Sequence, residues 1–352
     1  MVGKKRRSVM LLMVVAMVFS FALAGCGGAK PSTEGAKQEN GAATDGAKGK
    51  DLKIGLATDM GSVNDKSFNQ SAWAGLNKAK DEFGVEIKYL EPKSDKDIIP
   101  NLNQFLKGGY DLTWGTGFPL VDPIAQLSKD NPDKKMGIID GEVKAPNVAS
   151  VLFQEHEGSF LVGVIAGLTT KTNKIGFVGG MENPVIKRFE AGFRAGIKEV
   201  NPKAEFKSIY VGNFNRVDMG KSAAATLYGD GMDIIFHASG IVGNGVFNEA
   251  KERFGRGERV WVIGVDMDQS ETFGHDITLT SMIKKVDVAV YEIAKLLVED
   301  KFPGGKTTFM GLKENGVGIA PTSDKNVSAD ILKKVDEYRE KIIKGEIKVP
   351  TE

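Results

Sequence analysis

Cysteine is nearly absent from this sequence, since Cys26 is the only one among 352 residues. A single thiol cannot form an intrachain disulfide, so a disulfide framework is excluded. The three histidines, His156, His237 and His275, are scattered along the chain and show no metal-ligand spacing. We therefore predict neither a bound metal nor a cofactor.

Long apolar runs are also missing, with one exception at the N-terminus. Residues 8–24 are almost wholly apolar and follow the basic block Lys4 to Arg7, a pattern typical of a secretory signal peptide. An uncleaved membrane helix is the alternative. The segment LAGC at 23–26 resembles a bacterial lipobox, which predicts a signal peptide over 1–25 and lipidation of Cys26.

Residues 27–50 contain no aromatic and no branched aliphatic residue. Such a composition cannot bury enough apolar surface to offset the entropy of ordering, so we predict a flexible tether over 26–50. The formal net charge of the chain is +1, and acids and bases are interspersed, which argues against a nucleic-acid surface.

From residue 52 onwards, short runs of Val, Ile and Phe alternate with segments of helical periodicity. The predicted strands are 53–57, 85–89, 112–114, 136–139, 148–153, 175–178, 206–211, 234–236, 260–265 and 278–282. The predicted helices are 67–83, 98–106, 123–129, 158–169, 184–200, 219–228, 245–254, 286–298 and 329–344. This alternation predicts an α/β protein with two doubly wound, parallel-sheet lobes.

The loops that follow the predicted strands are rich in glycine, amides, carboxylates and aromatics. Ligands of open parallel sheets bind beyond the carboxyl ends of the strands. The combination suits a ligand with hydroxyl groups and a planar face better than it suits bond-breaking chemistry.

Four segments resemble the basic membrane protein family, which includes purine nucleoside receptor lipoproteins with a type I periplasmic-binding fold. The segments are DMGSVNDKSFNQ at 59–70, EHEGSFLVG at 155–163, GVDMDQ at 264–269 and TSMIK at 280–284. The resemblance covers about residues 52–320. It implies the binding component of an ABC importer, with a base stacked between two aromatics and a ribose held by a carboxylate and a lysine.

The resemblance and the strand-end rule together give the candidate ligand-binding residues: Asp59, Phe68, Asn69, Asp140, Phe214, Gly240, Asp266 and Lys284. Phe68 and Phe214 are the candidate stacking rings, with Phe118 or Phe247 as alternatives to Phe214. Asp59 and Asn69 would contact the base edge, while Asp266 and Lys284 would hold the ribose. The segment from Ser67 to Gln70 also fits a capping box, with Ser67 as the N-cap of a helix.

Three other functions remain open from the residues alone, and the first is that of a nucleotide-cofactor oxidoreductase. Gly243 and Gly245, with Asp266 about 20 residues later, outline a dinucleotide-binding fingerprint, although Asn248 stands where the third glycine belongs. The second is a sugar or autoinducer receptor of the same fold, which would also use aromatics and carboxylates. The third is a sensor subunit that hands its ligand to a membrane kinase.

We expect lobe 1 to take residues 51–155 with part of 268–312, and lobe 2 to take 156–267 with 313–352, joined by hinge crossovers. We expect no catalysis. The chain is predicted to be a lipid-anchored monomer on the extracytoplasmic face of the cell membrane. Its predicted partners are a purine nucleoside and ABC permease subunits.

Overall fold

The computed structural model describes Gly49 and residues 51–352. The predicted signal peptide (1–25), the lipidated Cys26 and almost all of the tether (26–50) lie outside the described residues. No helix within residues 51–352 combines the length and the apolar character needed to cross a bilayer.

Twelve strands form two sheets in the described part of the chain. They are β1 (Lys53–Ala57), β2 (Glu86–Leu90), β3 (Leu112–Thr116), β4 (Lys135–Ile139), β5 (Val148–Phe153), β6 (Lys174–Gly179), β7 (Glu205–Tyr210), β8 (Ile234–Ala238), β9 (Trp261–Asp266), β10 (Thr278–Lys284), β11 (Thr307–Met310) and β12 (Val317–Ile319). The first sheet has the order β11-β5-β4-β3-β1-β2 and the second β12-β10-β9-β8-β6-β7. We call the parts of the chain built on these sheets the first and second lobes.

Ten α-helices connect or cover the strands of the described chain. They are α1 (Phe68–Phe83), α2 (Ile98–Lys107), α3 (Val121–Asp130), α4 (Glu155–Thr169), α5 (Pro184–Val200), α6 (Val217–Gly229), α7 (Val242–Gly255), α8 (Ser270–Phe273), α9 (Val286–Val298) and α10 (Ala329–Ile343). The predicted α/β fold with two parallel-dominated sheets is confirmed.

The central strands are runs of continuously buried residues. Every residue of β3 and β8 is buried, whereas the edge strands β2 and β7 have no fully buried residue. A parallel sheet covered on both faces by helices demands such runs at its centre.

Two edge strands, β11 and β12, were not predicted from the sequence. Both are short and partly exposed, so they lack the apolar run that marks a central strand. β12 also pairs antiparallel to β10, which makes it the exception to the predicted parallel pattern. Antiparallel edge strands on otherwise parallel sheets are common.

The chain crosses between the lobes at three places: between β5 and α4, between β10 and α9, and between β11 and β12. The crossovers are hydrogen-bonded to one another, since Gln154 N donates to Met310 O at 3.0 Å and Lys285 N donates to Gly316 O at 2.9 Å. The three crossovers therefore lie side by side, and we call this region the hinge.

The crossovers return part of the C-terminal chain to the first lobe. α9 packs on α1, where Tyr291 donates a hydrogen bond to Glu82 at 2.7 Å. β11 extends the first sheet, while β10 and β12 belong to the second. α10 covers α4 of the second lobe, with the rings of Phe160 and Tyr338 5.6 Å apart.

Candidate functional site: a cavity between the two lobes

A cavity lies where the carboxyl ends of both sheets face each other. It encloses about 590 Å³ of space, including the part that is open to solvent. All eight predicted binding residues line it: Asp59, Phe68, Asn69, Asp140, Phe214, Gly240, Asp266 and Lys284. The strand-end rule and the resemblance therefore converge on one place in the fold.

Each lobe contributes one of the two predicted stacking rings. Phe68 is the first residue of α1, directly after the loop that follows β1, and Phe214 lies in the loop after β7. The Phe214 ring packs against the backbone of Gly180, where an added Cβ would lie 2.2 Å from Phe214 Cε1. A side chain at position 180 would push the ring out of place.

The alternatives to Phe214 occupy different positions. Phe118 lines the cavity but is 42% exposed. Phe247 is fully buried, stacks on Phe273 at 4.1 Å and does not line the cavity. A ring that the sequence did not suggest, Phe189 of α5, also lines the wall.

The N-terminus of α1 is capped differently from the prediction. Asp65, rather than Ser67, accepts hydrogen bonds from the backbone amides of Ser67, Asn69 and Gln70 at 2.8–3.1 Å. Gln70 accepts from Lys66 N at 3.2 Å instead of reaching back to Ser67. The capping box was therefore wrong, because a carboxylate two residues earlier satisfies the free amides and releases the Ser67 hydroxyl.

Asn69 orients Asp59 and has little hydrogen-bonding capacity left. Its Nδ2 donates to Asp59 Oδ1 at 2.9 Å and to Asp65 Oδ2 at 3.2 Å, and its Oδ1 accepts from Thr116 at 2.6 Å. Asp59 Oδ1 also accepts from Gly61 N at 2.8 Å. Burial raises the pKa of Asp59, although the hydrogen bonds from Asn69 and Gly61 oppose the rise. The second oxygen, Asp59 Oδ2, accepts no hydrogen bond from the described part of the chain.

Asp266 ends β9 with its backbone in the left-handed region, at φ 65°. Left-handed residues other than glycine are uncommon, and Asp is one of the few that tolerate them. Asp266 Oδ2 accepts a hydrogen bond from the Ser67 hydroxyl, which bridges the lobes. Burial raises the pKa of Asp266 to about 7, while Lys284 and Ser67 oppose the rise.

Lys284 ends β10 and is almost completely buried. The sequence suggested that it balances Asp266, but the structure pairs it elsewhere. Its Nζ donates to Asp140 Oδ2 at 2.6 Å and lies 3.0 Å from Glu155 Oε1. Burial opposes the charge of Lys284, yet the carboxylates of Asp140, Glu155 and Asp266 outweigh it and raise the pKa of the lysine.

A second link between the lobes runs through Gln269, which supports the Asp266 loop. Gln269 Nε2 donates to Lys66 O at 2.8 Å, while its Oε1 accepts from Val265 N and contacts His237 Nε2 at 2.8 Å. Burial lowers the pKa of His237 to about 4. This histidine is therefore neutral at physiological pH and serves as a fixed support.

The glycines of the outlined dinucleotide fingerprint have a packing role. α7 begins at Val242, so Gly243 and Gly245 lie inside the helix and form no phosphate-binding loop before it. A Cβ on Gly243 would lie 2.1 Å from His237 Cε1, and one on Gly245 would lie 2.0 Å from Val217 O. The glycines allow close approach of neighbouring elements.

Comparison with known proteins gives the family. Residues 53–352 match the Bmp family, described as PnrA-like ABC transporter substrate-binding proteins. The chain belongs to the Bmp family. The family predicted from the four segments is thereby confirmed, as is its assignment to ABC transporter substrate-binding proteins.

Relatives of this Bmp-family chain match along almost their whole length. A CD4+ T-cell-stimulating antigen of Listeria innocua is 44% identical, over 90% of this chain and 93% of the antigen. The ABC transporter nucleoside-binding protein BmpA of Lactococcus lactis is 37% identical, over 98% of this chain and 99% of BmpA. Among solved structures, a solute-binding protein of an ABC transporter from Aeropyrum pernix is 30% identical, with a TM-score of 0.79 over 86% of this chain and 94% of that protein.

Proposed function

We propose that the chain binds one purine nucleoside in the cavity between its lobes and delivers it to an ABC permease. The observation that carries the proposal is the meeting, in one cavity, of an aromatic ring from each lobe with Asp266 and Lys284 at neighbouring strand ends. The relative from Lactococcus lactis that covers nearly the whole chain is named as a nucleoside-binding protein.

Each candidate residue has a defined task in this proposal. Phe68 and Phe214 stack on the two faces of the base, and Asp59 Oδ2 contacts its edge, while Asn69 holds Asp59 in place. Asp266 accepts hydrogen bonds from two vicinal ribose hydroxyls, since a carboxylate has acceptor sites for both. Lys284 donates to a ribose oxygen.

Asp140 and Gly240 have supporting tasks in the same cavity. Asp140 directly follows β4 and holds the Lys284 ammonium. Its backbone, like that of Asp266, lies in the left-handed region, at φ 64°. Gly240, with φ 57°, forms part of the wall after β8, and its lack of a side chain leaves the ligand room beside the Phe214 loop.

The charge of the cavity favours a neutral ligand over a phosphorylated one. Of the lining residues in the described chain, four are carboxylates, Asp59, Asp65, Asp140 and Asp266, and only Lys284 is cationic. That lysine is already paired with Asp140. A 5′-phosphate would enter a site with negative walls and no free counter-charge, so we expect nucleotides to be rejected.

The arrangement supports capture rather than catalysis. Ligand binding between lobes joined by a hinge favours their closure, and the closed form presents both lobes to the permease. We propose that nothing is turned over, since the polar groups of the cavity are committed to one another or to holding hydroxyls.

We further propose that Cys26 carries a lipid anchor on the extracytoplasmic face of the membrane. Two or more acyl chains anchor stably, because each buried methylene contributes about 0.8 kcal/mol.

Isothermal titration calorimetry of the purified chain tests the ligand class. The panel is inosine, guanosine, adenosine, hypoxanthine, D-ribose, inosine 5′-monophosphate and D-galactose. We expect one nucleoside per chain, with the free base, the free sugars and the nucleotide at least about tenfold weaker. Tighter binding of a sugar, or conversion of inosine to other products on prolonged incubation, would contradict the proposal.

A further inference from the structure

A row of four charged side chains, three of them buried and the fourth partly exposed, runs through the hinge beside the cavity. In order they are Asp140, Lys284, Glu155 and Arg188. Asp140 follows β4 of the first lobe and Arg188 lies on α5 of the second. Between them, Glu155 is the first residue after one crossover and Lys284 the last residue before another.

The contacts within this row are short, and only Arg188 at its end is partly exposed to water. Arg188 Nε donates to Glu155 Oε2 at 2.6 Å, and Glu155 Oε1 lies 3.0 Å from Lys284 Nζ. Glu155 is 0% exposed. Burial opposes its ionisation, yet the charges of Lys284 and Arg188 outweigh burial and hold the pKa of Glu155 below its ordinary value.

We infer that Glu155 and Arg188 are positioning residues that hold the Lys284 ammonium away from Asp266 and so keep both groups available to the ribose. The inference rests on the proposed function and extends it to two residues that do not line the cavity.

The physical reason lies in the competition for a single ammonium. Lys284 faces three buried carboxylates, Asp140, Glu155 and Asp266, and all three contribute to its charge state. The aromatic rings of Phe68 and Phe153 confine Nζ, each with its centroid 5.1 Å away. With two carboxylates on the hinge side, the ammonium stays there, and the N–H groups that it does not donate to Asp140 remain for the ligand.

Removing the charge of Glu155 changes this balance. The ammonium would then be shared between Asp140 and Asp266, and its approach to Asp266 would compete with the ribose hydroxyls for the carboxylate. A free base makes no use of either group in the proposed site. Loss of the Glu155 charge should therefore lower the affinity for ribonucleosides and leave the affinity for the free base unchanged.

The test compares inosine and hypoxanthine binding, by calorimetry on the full chain, for Glu155→Gln, Lys284→Met and the double variant. We expect Glu155→Gln to weaken inosine binding at least about tenfold, which is in the range of a hydrogen bond to a charged group. Hypoxanthine binding should weaken less than about twofold. In the Lys284→Met background, Glu155→Gln should raise the Kd for inosine by less than about twofold more, because its effect acts through the lysine.

A matched control and a milder variant keep the test decisive. Glu249 is also buried and paired with an arginine, with 2.8 Å between Glu249 Oε1 and Arg253 Nε, but it lies on α7 and does not line the cavity. Glu249→Gln should leave inosine affinity unchanged. If Glu155→Gln does not fold, Arg188→Lys keeps the charge but not the guanidinium geometry, and should weaken inosine several-fold while sparing hypoxanthine.

Two results would overturn the positioning role alone. One is an equal loss of affinity for inosine and for hypoxanthine in Glu155→Gln. The other is a double variant whose loss of inosine affinity is the product of the losses in Glu155→Gln and Lys284→Met. A parent chain that binds no nucleoside would overturn the proposed function as well.

Discussion

Replacing Asp266 with Asn should weaken ribonucleoside binding and raise the stability of the fold at the same time. The variant keeps the shape of the side chain and one acceptor oxygen but loses the charge. Hydrogen bonds to charged groups contribute about 1.5–3 kcal/mol, so we expect a loss of about 2 kcal/mol, or about 30-fold in Kd. A 2′,3′-dideoxynucleoside lacks the hydroxyls that Asp266 would bind, so its affinity should barely change.

The gain in stability follows from the raised pKa of Asp266. The folded carboxyl has a pKa of about 7 against an ordinary value of 3.8, so the folded chain holds more protons between these pH values. The free energy of unfolding then falls as pH rises through about 7. At pH 8 the buried carboxylate costs on the order of 2–4 kcal/mol, and Asp266→Asn removes that cost, whereas at pH 4 it should give no gain.

The same ionisation should make binding depend on pH. Ribose hydroxyls donate to the ionised carboxylate, so inosine affinity should fall as pH drops below about 7, by up to about tenfold per unit. Asp59, Asp65, Asp140 and Lys284 also face the cavity, so the relevant quantity is the difference in slope between the parent and Asp266→Asn.

Calorimetry from pH 5.5 to 8 and thermal melts at pH 4 and 8 measure these effects. Asp268→Asn is the matched control, because Asp268 lies two residues away, accepts from Ser270 and Thr322, and does not line the cavity. An Asp266→Asn variant with parental inosine affinity and parental pH slope would refute the reasoning.

Three further predictions concern other parts of the chain. Phe68→Ala should weaken inosine and hypoxanthine alike by about 1–3 kcal/mol, the range for base–aromatic stacking, and a loss confined to inosine would contradict stacking. Asp65→Ala should lower the free energy of unfolding, measured in urea, by about 1–2 kcal/mol, because three amides of the α1 terminus lose their acceptor. Asp65→Ser should restore part of that loss, and an unchanged urea midpoint would show that the cap is dispensable. Cys26→Ala should convert the chain from a membrane-bound to a soluble form, and a variant that resists carbonate extraction would show that the apolar N-terminal segment anchors it directly.

The strands and helices were largely predictable because burial leaves a local trace. β5, α5 and α9 begin and end at the predicted residues, since each is an apolar or amphipathic run bounded by turn residues. β11 and β12 leave no such trace, because a partly exposed edge strand of three or four residues is held by its neighbour's backbone rather than by its own side chains.

The residues that line the cavity were predictable for a different reason. Parallel strands end at one edge of a sheet, so polar residues that follow strands must come together there. Their pairing was not predictable. Lys284 bonds Asp140 across 144 residues of chain, and Ser67 bonds Asp266 across 199, and nothing local distinguishes these partners from other carboxylates.

A crystal structure of the chain grown with inosine tests the central claim most directly. We predict electron density for one nucleoside in the cavity, with the purine between the rings of Phe68 and Phe214 and the ribose hydroxyls within hydrogen-bonding distance of Asp266 and Lys284. A ligand-free cavity at saturating inosine, or a nucleoside bound elsewhere on the protein, would contradict the account.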